Sequence, residues 1–385
     1  MIIFHIFVFV EQSPMNRLIA TFLVISSLLA SSLIAVADDS STYDMHAAYA
    51  LTGFASTFGA AELNGTTLAI EDFNRTSDID GKKVKLIVDD TGSTNVQTLS
   101  AVRKLMSVNK AKIILGPTWL DSFQAAVSIA DREKIVLFTP SAAVAVIKKS
   151  DSQYPLIFST WFNLELEVEL LLKHVKTEQK KRIMLAFDQD PFFQAVRAII
   201  QKRASSLGLE IVSDESFDLN AADFRSLLLK AKKLNIDGAI LGFGDEKNLL
   251  TFLKQRKEIN PSLPLFGTEY LDGYVSQDQW AHLFDNVDFI SAQVRDKDFA
   301  VEYEKRFKTP PILSASTAYD ATTIVLQALK ANKRTPAELR DYLLSNEFNT
   351  KTFGKVRFNS FGAVQSSDFE IKKVRNREII EQPIS

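Results

Sequence analysis

The residues able to do chemistry are few. Four histidines occur, His5, His46, His174 and His282. None has a metal-binding partner at helical spacing, and there is no H-E-x-x-H. G-x-S-x-G and G-x-x-x-x-G-K-[ST] are also missing. Gly242-Phe243-Gly244 follows an apolar run but lacks the third glycine of a dinucleotide loop. Glu165, Glu167 and Glu169 are interleaved with Leu164, Leu166 and Leu170, and read as the solvated face of a helix rather than a metal cluster. The cysteine count is zero, which removes thiol catalysis, thiolate metal sites and a lipid-modified cysteine. These residues point away from an enzyme and require no cofactor or metal.

Side chains able to bind are better placed. The stretch Ala111–Ser141 reads as a buried strand (Lys112–Gly116), a Gly-Pro turn, a helix near Asp121–Glu133 and a second buried strand (Ile135–Thr139). Short all-apolar strands around a helix indicate a parallel βαβ unit, since both strand faces are covered. Ligands sit outside the carboxyl ends of such strands, next to a helix N-terminus with unpaired N–H groups. Gly116–Leu120 and Thr139–Ala142 are two such ends. They carry Thr118, Trp119, Ser141 and Ala142, with Asp121 and Ser122 just after the first. The plain alternative is an α/β crossover without a ligand. Trp161 adds a second large ring at a predicted strand end, as ligand wall or as core.

The elements that position these residues alternate through the chain. Strands are predicted at Asp44–Leu51 and Lys83–Asp89, with helices near Ala60–Asn74 and after Ser93 or Thr94. After Pro155 a Leu- and Glu-rich helix (Leu164–Lys176) precedes a restart of the βα alternation. That restart runs from Arg182–Phe187 to Pro264–Gly267 and marks a second domain of the same architecture. Helices follow near Gln277–Phe284, Lys297–Phe307, Ser314–Ala331 and Pro336–Ser345. Lys355–Phe358 and Ser367–Val374 read as a terminal hairpin around Asn359-Ser360-Phe361-Gly362.

The chain has 385 residues, 24% of them charged, and a formal net charge of -2. That is globular composition with room for two domains, and near-neutral charge without a basic run argues against nucleic acid. Residues 1–37 read as a secretory signal. Arg17 precedes an apolar run ending in Ala35-Val36-Ala37, a small-residue cleavage site. The alternative is a retained membrane anchor. Met15 is a candidate true start, which makes residues 1–14 an over-extended frame. Export without cysteine fits a soluble periplasmic protein.

The order of the segments resembles the type I periplasmic binding proteins, in particular the branched-chain amino-acid (Leu/Ile/Val) binding family. Ala50-Leu51-Thr52-Gly53, Gly59, Asn64-Gly65, Ala69 and Asn74 are similar to that family's N-terminal pattern. Asp89-Asp90 closes the second strand as it does there. Leu115-Gly116-Pro117 and Thr139-Pro140-Ser141-Ala142 resemble its two lobe-one corners. Phe266-Gly267-Thr268-Glu269 resembles its lobe-two corner, and Phe353–Phe358 with Gly362 its C-terminal strand entry. The resemblance implies an α/β protein of two Rossmann-like αβα lobes joined by a three-segment hinge. Lobe one takes 43–158 and 293–347, and lobe two takes 159–292 and 348–385. The crossings are expected near Phe158–Trp161, Ser291–Arg295 and Asn349–Gly354, with a ligand clamped by hinge closure.

Ligand residues follow from the same resemblance. Ser141 and Ala142 fall on backbone-contact positions for a ligand carboxylate. Leu120 stands where the family has a hydroxyl and Ala143 where it usually has Thr, with Asp121 and Ser122 following the first of these corners. Phe58 falls on an aromatic wall position, Phe192 where Tyr is frequent, and Glu269 where an acid holds the ligand ammonium. The alternative for Glu269 is a surface acid at a strand end. An apolar or aromatic ligand body with a polar or cationic end fits this set. The implied function is capture of a small organic ligand, amino-acid-like or aromatic or amine, for delivery to an inner-membrane ABC permease. The protein is expected to be a periplasmic monomer. The alternative is a ligand sensor that docks on a membrane kinase or another periplasmic partner.

Overall fold

Apolar runs become central strands, and amphipathic runs between them become helices. A computed structural model describes residues 41–384 except 149, 151, 220, 222, 276, 278, 366 and 367. The expected export signal lies outside the described residues. No described helix is long and apolar enough to cross a membrane.

The first part of the chain runs β1 (Thr42–Tyr49), α1 (Ser56–Thr76), β2 (Lys83–Asp90), α2 (Asn95–Ser107), β3 (Ile113–Leu115), α3 (Leu120–Arg132), β4 (Val136–Thr139), a short α4 (Val144–Ile147) and β5 (Ile157–Ser159). The strands form one five-stranded sheet in the order β2-β1-β3-β4-β5. β1, β3, β4 and β5 pair in parallel. Every residue of β3 and β4 is buried, as expected for strands covered on both faces. Thr94 caps α2 by accepting from the Gln97 N–H at 3.3 Å.

The chain then passes into α5 (Leu164–Thr177), β6 (Arg182–Asp188), α6 (Pro191–Arg203), β7 (Glu210–Phe217), α7 (Arg225–Lys233), β8 (Gly238–Gly242), α8 (Glu246–Ile259) and β9 (Leu265–Gly267). A 3-10 turn over Glu269–Leu271, α9 (Asp272–Val275) and β10 (Val287–Ala292) follow. α10 (Lys297–Phe307), α11 (Leu313–Lys330) and α12 (Pro336–Ser345) come next, and α11 packs along α1. The chain ends with β11 (Phe348–Asn349), β12 (Lys355–Val356), β13 (Phe369–Arg375) and β14 (Glu378–Pro383). The second sheet has seven strands in the order β14-β13-β10-β9-β8-β6-β7. Its β7, β6, β8, β9 and β10 are parallel, and β13 and β14 form an antiparallel edge. Two α/β layers result, each a mostly parallel sheet with helices.

Two expectations need correction, and a third difference bears on where the chain crosses. The expected helix Gln277–Phe284 is reduced to a 3-10 turn over Ala281–Leu283. The expected terminal hairpin has different partners. Phe358 forms a single bridge to Val364 across the Asn359–Gly362 turn, while β13 pairs with β14. The β13–β14 turn is Asn376-Arg377, with φ of 52° and 69° at the two residues. Positive φ at both central residues suits a tight hairpin, but Arg at the second position hides the signal. The third difference concerns residues 348–364. Phe358 meets Phe138 and Phe158 at ring distances of 5.6 and 5.7 Å. Phe348, Val356, Phe358 and Val364 belong to the core beneath the five-stranded sheet. These residues stay with the first layer, so we place the third crossing after Val364 rather than at Asn349–Gly354.

Candidate ligand-binding site

Two glycines shape the first corner. A Cβ on Gly59 would lie 2.0 Å from the Ala50 carbonyl oxygen. At Gly116, with φ of 93°, it would lie 2.3 Å from the Ala48 oxygen. Only glycine lets the start of α1 and the end of β3 approach β1 this closely. The chain then turns through the cis Gly116-Pro117 bond to Trp119, whose φ of 72° and ψ of 150° are rare outside glycine. Such a backbone costs on the order of 1–3 kcal/mol and persists where its surroundings hold it. Here the Trp119 N–H donates to Ser141 Oγ at 3.1 Å. Its indole Nε1–H donates to Asp190 Oδ2 at 2.9 Å, from the first layer to the second.

Behind this corner lies a carboxyl that the sequence reading missed. Glu62 of α1 is fully buried and accepts a short hydrogen bond from Thr118 Oγ1. Thr118 in turn accepts from the Ala50 N–H at 3.0 Å. Burial pushes Glu62 up to about 8, although the Ser141 and Thr118 hydroxyls pull it back. Thr118 therefore serves an internal acid and is not part of the cavity wall. Ser141 stands between Glu62 and the cavity.

The cavity is walled by Phe58, Trp119, Leu120 and Ser141 on one side, Trp161 at the first crossing, and Phe192, Glu269 and Tyr270 on the other. Six of the ten residues expected at the site line it: Phe58, Trp119, Ser141, Trp161, Phe192 and Glu269. Thr118, Asp121, Ser122 and Ala142 do not. Ser122 and Ala142 are buried behind the wall, and Asp121 is half-buried. Burial, then the nearby Asp190, raises the Asp121 carboxyl. The space measures about 20 Å³, room for about one water.

The second layer supplies the acids. Asp190 caps α6, its Oδ1 accepting from the N–H groups of Phe192 and Phe193 at 2.9 and 3.3 Å. Asp188 accepts from Gly244 and Asp245 N–H at 2.7 and 3.1 Å, and burial still raises it to about 6. Glu269 is only 2% exposed, which corrects the reading as a surface acid. It faces Glu167, which is 0% exposed and therefore not on the solvated face expected of it. Glu167 falls on the same helical stripe as Leu164, Val168, Leu171 and Val175 of α5. Its neighbours Glu165 and Glu169 do reach solvent, where both bind Arg203. Of the polar atoms of the wall, Trp161 Nε1 has no hydrogen-bond partner, and the Tyr270 hydroxyl and both Glu269 oxygens lie outside good hydrogen-bond geometry from their neighbours.

His174 also departs from expectation. Glu178, one turn on, and Asp288 bring three possible metal ligands together. Lys373 already binds Glu178 at 2.6 Å, and Arg375 binds Asp288 at 2.7 Å. Two cations there leave little charge for a metal, and His174 Nε2 simply meets Asp288 Oδ2 at 2.8 Å.

Known proteins with this arrangement give it a context. The periplasmic binding protein family profile matches residues 47–370. The leucine-, isoleucine-, valine-, threonine- and alanine-binding protein of Pseudomonas aeruginosa is 23% identical over 332 residues, 83% of this chain and 87% of its own. The Leu/Ile/Val-binding protein of Escherichia coli K12 is 24% identical over 335 residues, 84% of this chain and 88% of its own. Among solved structures, the branched-chain amino-acid transporter substrate-binding protein LivJ of Streptococcus pneumoniae, in complex with isoleucine, superposes with a TM-score of 0.79. It is 22% identical, with 89% of this chain and 99% of that one covered. A solute-binding protein of an ABC transporter from R. palustris, in complex with benzoate, gives 0.77 at 19% identity, covering 89% of this chain and 97% of that one. The profile covers the chain from within β1 to the start of β13 and every residue of the cavity wall, so the chain belongs to the periplasmic binding protein family, a binding protein and not an enzyme.

Proposed function

We propose that the protein captures a small organic ligand, amino-acid-like or aromatic or amine, between its two lobes and delivers it to an inner-membrane ABC permease. The observation that carries this is the composition of the cavity wall. Five aromatic rings and one buried acid converge from both layers on one closed space. A space of about 20 Å³ is far below the roughly 300 Å³ of a typical ligand site. Entry therefore requires the lobes to part, and the three crossings between the sheets are the hinge. Names of the relatives support transport of branched-chain amino acids or aromatic acids. Mass spectrometry of small molecules released from natively purified protein tests the reading. A single organic compound at near-stoichiometric yield supports it. A protein that carries nothing and is stabilised by no solute in a thermal screen sinks it. Uptake of that compound should cease when the cognate permease is deleted.

A further inference from the structure

Three buried glutamates stand at the cavity, and its wall contains no lysine, arginine or histidine. Glu62 lies behind Ser141, Glu269 is in the wall, and Glu167 lies behind Glu269. The Glu269 N–H and the Thr268 hydroxyl are the donors that approach the four oxygens of Glu167 and Glu269, and neither is in good hydrogen-bond geometry. Two carboxylates buried face to face without a counter-charge are strongly unfavourable. A proton held between them removes most of that penalty. Burial first, and then the opposite carboxyl, pushes Glu167 well up, and burial also raises Glu269.

The rings point to the same charge. Aromatic faces attract a cation that has left water. Phe58, Trp119, Trp161 and Tyr270 present such rings around Glu269. An anionic ligand would instead meet Glu269 and find no lysine, arginine or histidine in the wall.

We propose that the cleft takes an organic cation, an amine or ammonium on an apolar body, and that Glu167 and Glu269 act as one carboxyl pair that holds a proton when unliganded and releases it as the cation arrives. This rests on the reading of the cleft as the site of capture. No covalent bond of the ligand changes. Its nitrogen keeps its own substituents, one proton passes from the pair to water, and one positive charge takes its place. Glu269 touches the ligand; Glu167 is a positioning residue that sets the charge of Glu269.

The neighbouring ionisable groups already have partners. On α5, His174 meets Asp288, and Glu165 and Glu169 bind Arg203 of α6. From β10, Asp288 also binds Arg375. From α9, Asp272 binds Lys372 of β13, which lies near Glu370. Tyr270 and Tyr274 are buried neutral phenols.

Calorimetric titration tests this with phenethylamine and benzyltrimethylammonium against leucine and benzoate, on protein stripped of ligand. Both cations should bind more tightly as pH rises above the ordinary glutamate range, by up to about tenfold per pH unit, with one proton released. Glu269→Gln should weaken them at least tenfold. Glu167→Gln should keep binding but lose the pH slope and the proton release, an effect that a merely structural role would not produce. Should Glu269→Gln not fold, the slopes of wild type and Glu167→Gln decide alone. Binding of leucine or benzoate with both cations excluded overturns the proposal and leaves capture standing. Binding of none of the four overturns the cation class, and failure of the solute screen above then removes capture as well. A wild-type affinity independent of pH, or a slope that survives Glu167→Gln, overturns the pair.

Discussion

Trp119 and Asp190 form a hydrogen bond of 2.9 Å that joins the two layers of the protein at the cavity. Asp190 does two things at once. One oxygen caps α6 and the other takes the indole N–H of Trp119. The bond to a charged acceptor contributes about 1.5–3 kcal/mol to the closed arrangement. Trp119→Phe keeps a ring but removes that donor. It should raise the radius of gyration of the unliganded protein in small-angle scattering and weaken ligand binding by about tenfold or more. Asp190→Ala should do both and also lower the unfolding free energy by about 1 kcal/mol through loss of the cap. An unchanged radius in Trp119→Phe would show that closure does not depend on this bond.

Glu62 should make stability depend on pH. Its folded-state value, raised by burial to about 8, lies above that of an unfolded glutamate. The folded state therefore holds the proton more tightly, and stability contributed below about pH 4.5 is lost as pH rises toward about 8, by up to about 1.4 kcal/mol per pH unit. Urea unfolding of wild type and Glu62→Gln across that window isolates the effect. The variant should show a smaller decline, and parallel curves would exclude an uncharged Glu62.

Tyr270 offers a cheap discrimination. Its hydroxyl is buried, and the Phe243 backbone approaches it only in poor hydrogen-bond geometry, so Tyr270→Phe should change the melting temperature of the unliganded protein little. A marked drop would mean that the hydroxyl has a partner. If the hydroxyl contacts ligand, the same variant should lose about threefold to tenfold in affinity.

The placement of 348–364 with the first layer can be tested by Phe358→Ala. Its ring meets Phe138, Phe158 and Phe348. Truncation should cost about 3–5 kcal/mol in unfolding free energy. In hydrogen exchange, the loss of protection should fall on β4 and β5 rather than on β13. Loss confined to β13 would return the segment to the second lobe.

Gly59→Ala should be worse than its size suggests. The added carbon would lie 2.0 Å from a backbone oxygen that has no freedom to move. Expression without a cooperative unfolding transition is the expected outcome, and a normal transition would exclude the close packing of α1 on β1.

The scaffold was legible because its signals are periodic. All-apolar runs such as Val136–Thr139 became central parallel strands, and Thr94 capped its helix as its type suggests. Trp119 and Trp161 were legible as candidates because they lie at predicted strand ends, and Phe58, Phe192 and Glu269 because the resemblance placed them at cleft corners. The inner acids were not. Glu167 was read from its alternation with Glu165 and Glu169, a period of two, although helical spacing places it with Leu164, Val168 and Leu171. Glu62 was hidden because a charged residue on a helix is ordinarily solvated, and its partners Thr118 and Ser141 are distant in sequence. Thr118 was assigned to the ligand because no local pattern shows that its hydroxyl faces inward.

The chain contains three tryptophans, and two of them, Trp119 and Trp161, form part of the cavity wall. The third, Trp280, lies under the Lys254 ammonium at 5.3 Å. Indole emission responds to polarity, to nearby carboxyls and to stacking. The protein thus carries its own optical gauge of the cleft. Lobe opening and ligand entry should each alter emission from Trp119 and Trp161, and replacing Trp280 by Phe would leave a label-free signal from the cleft alone.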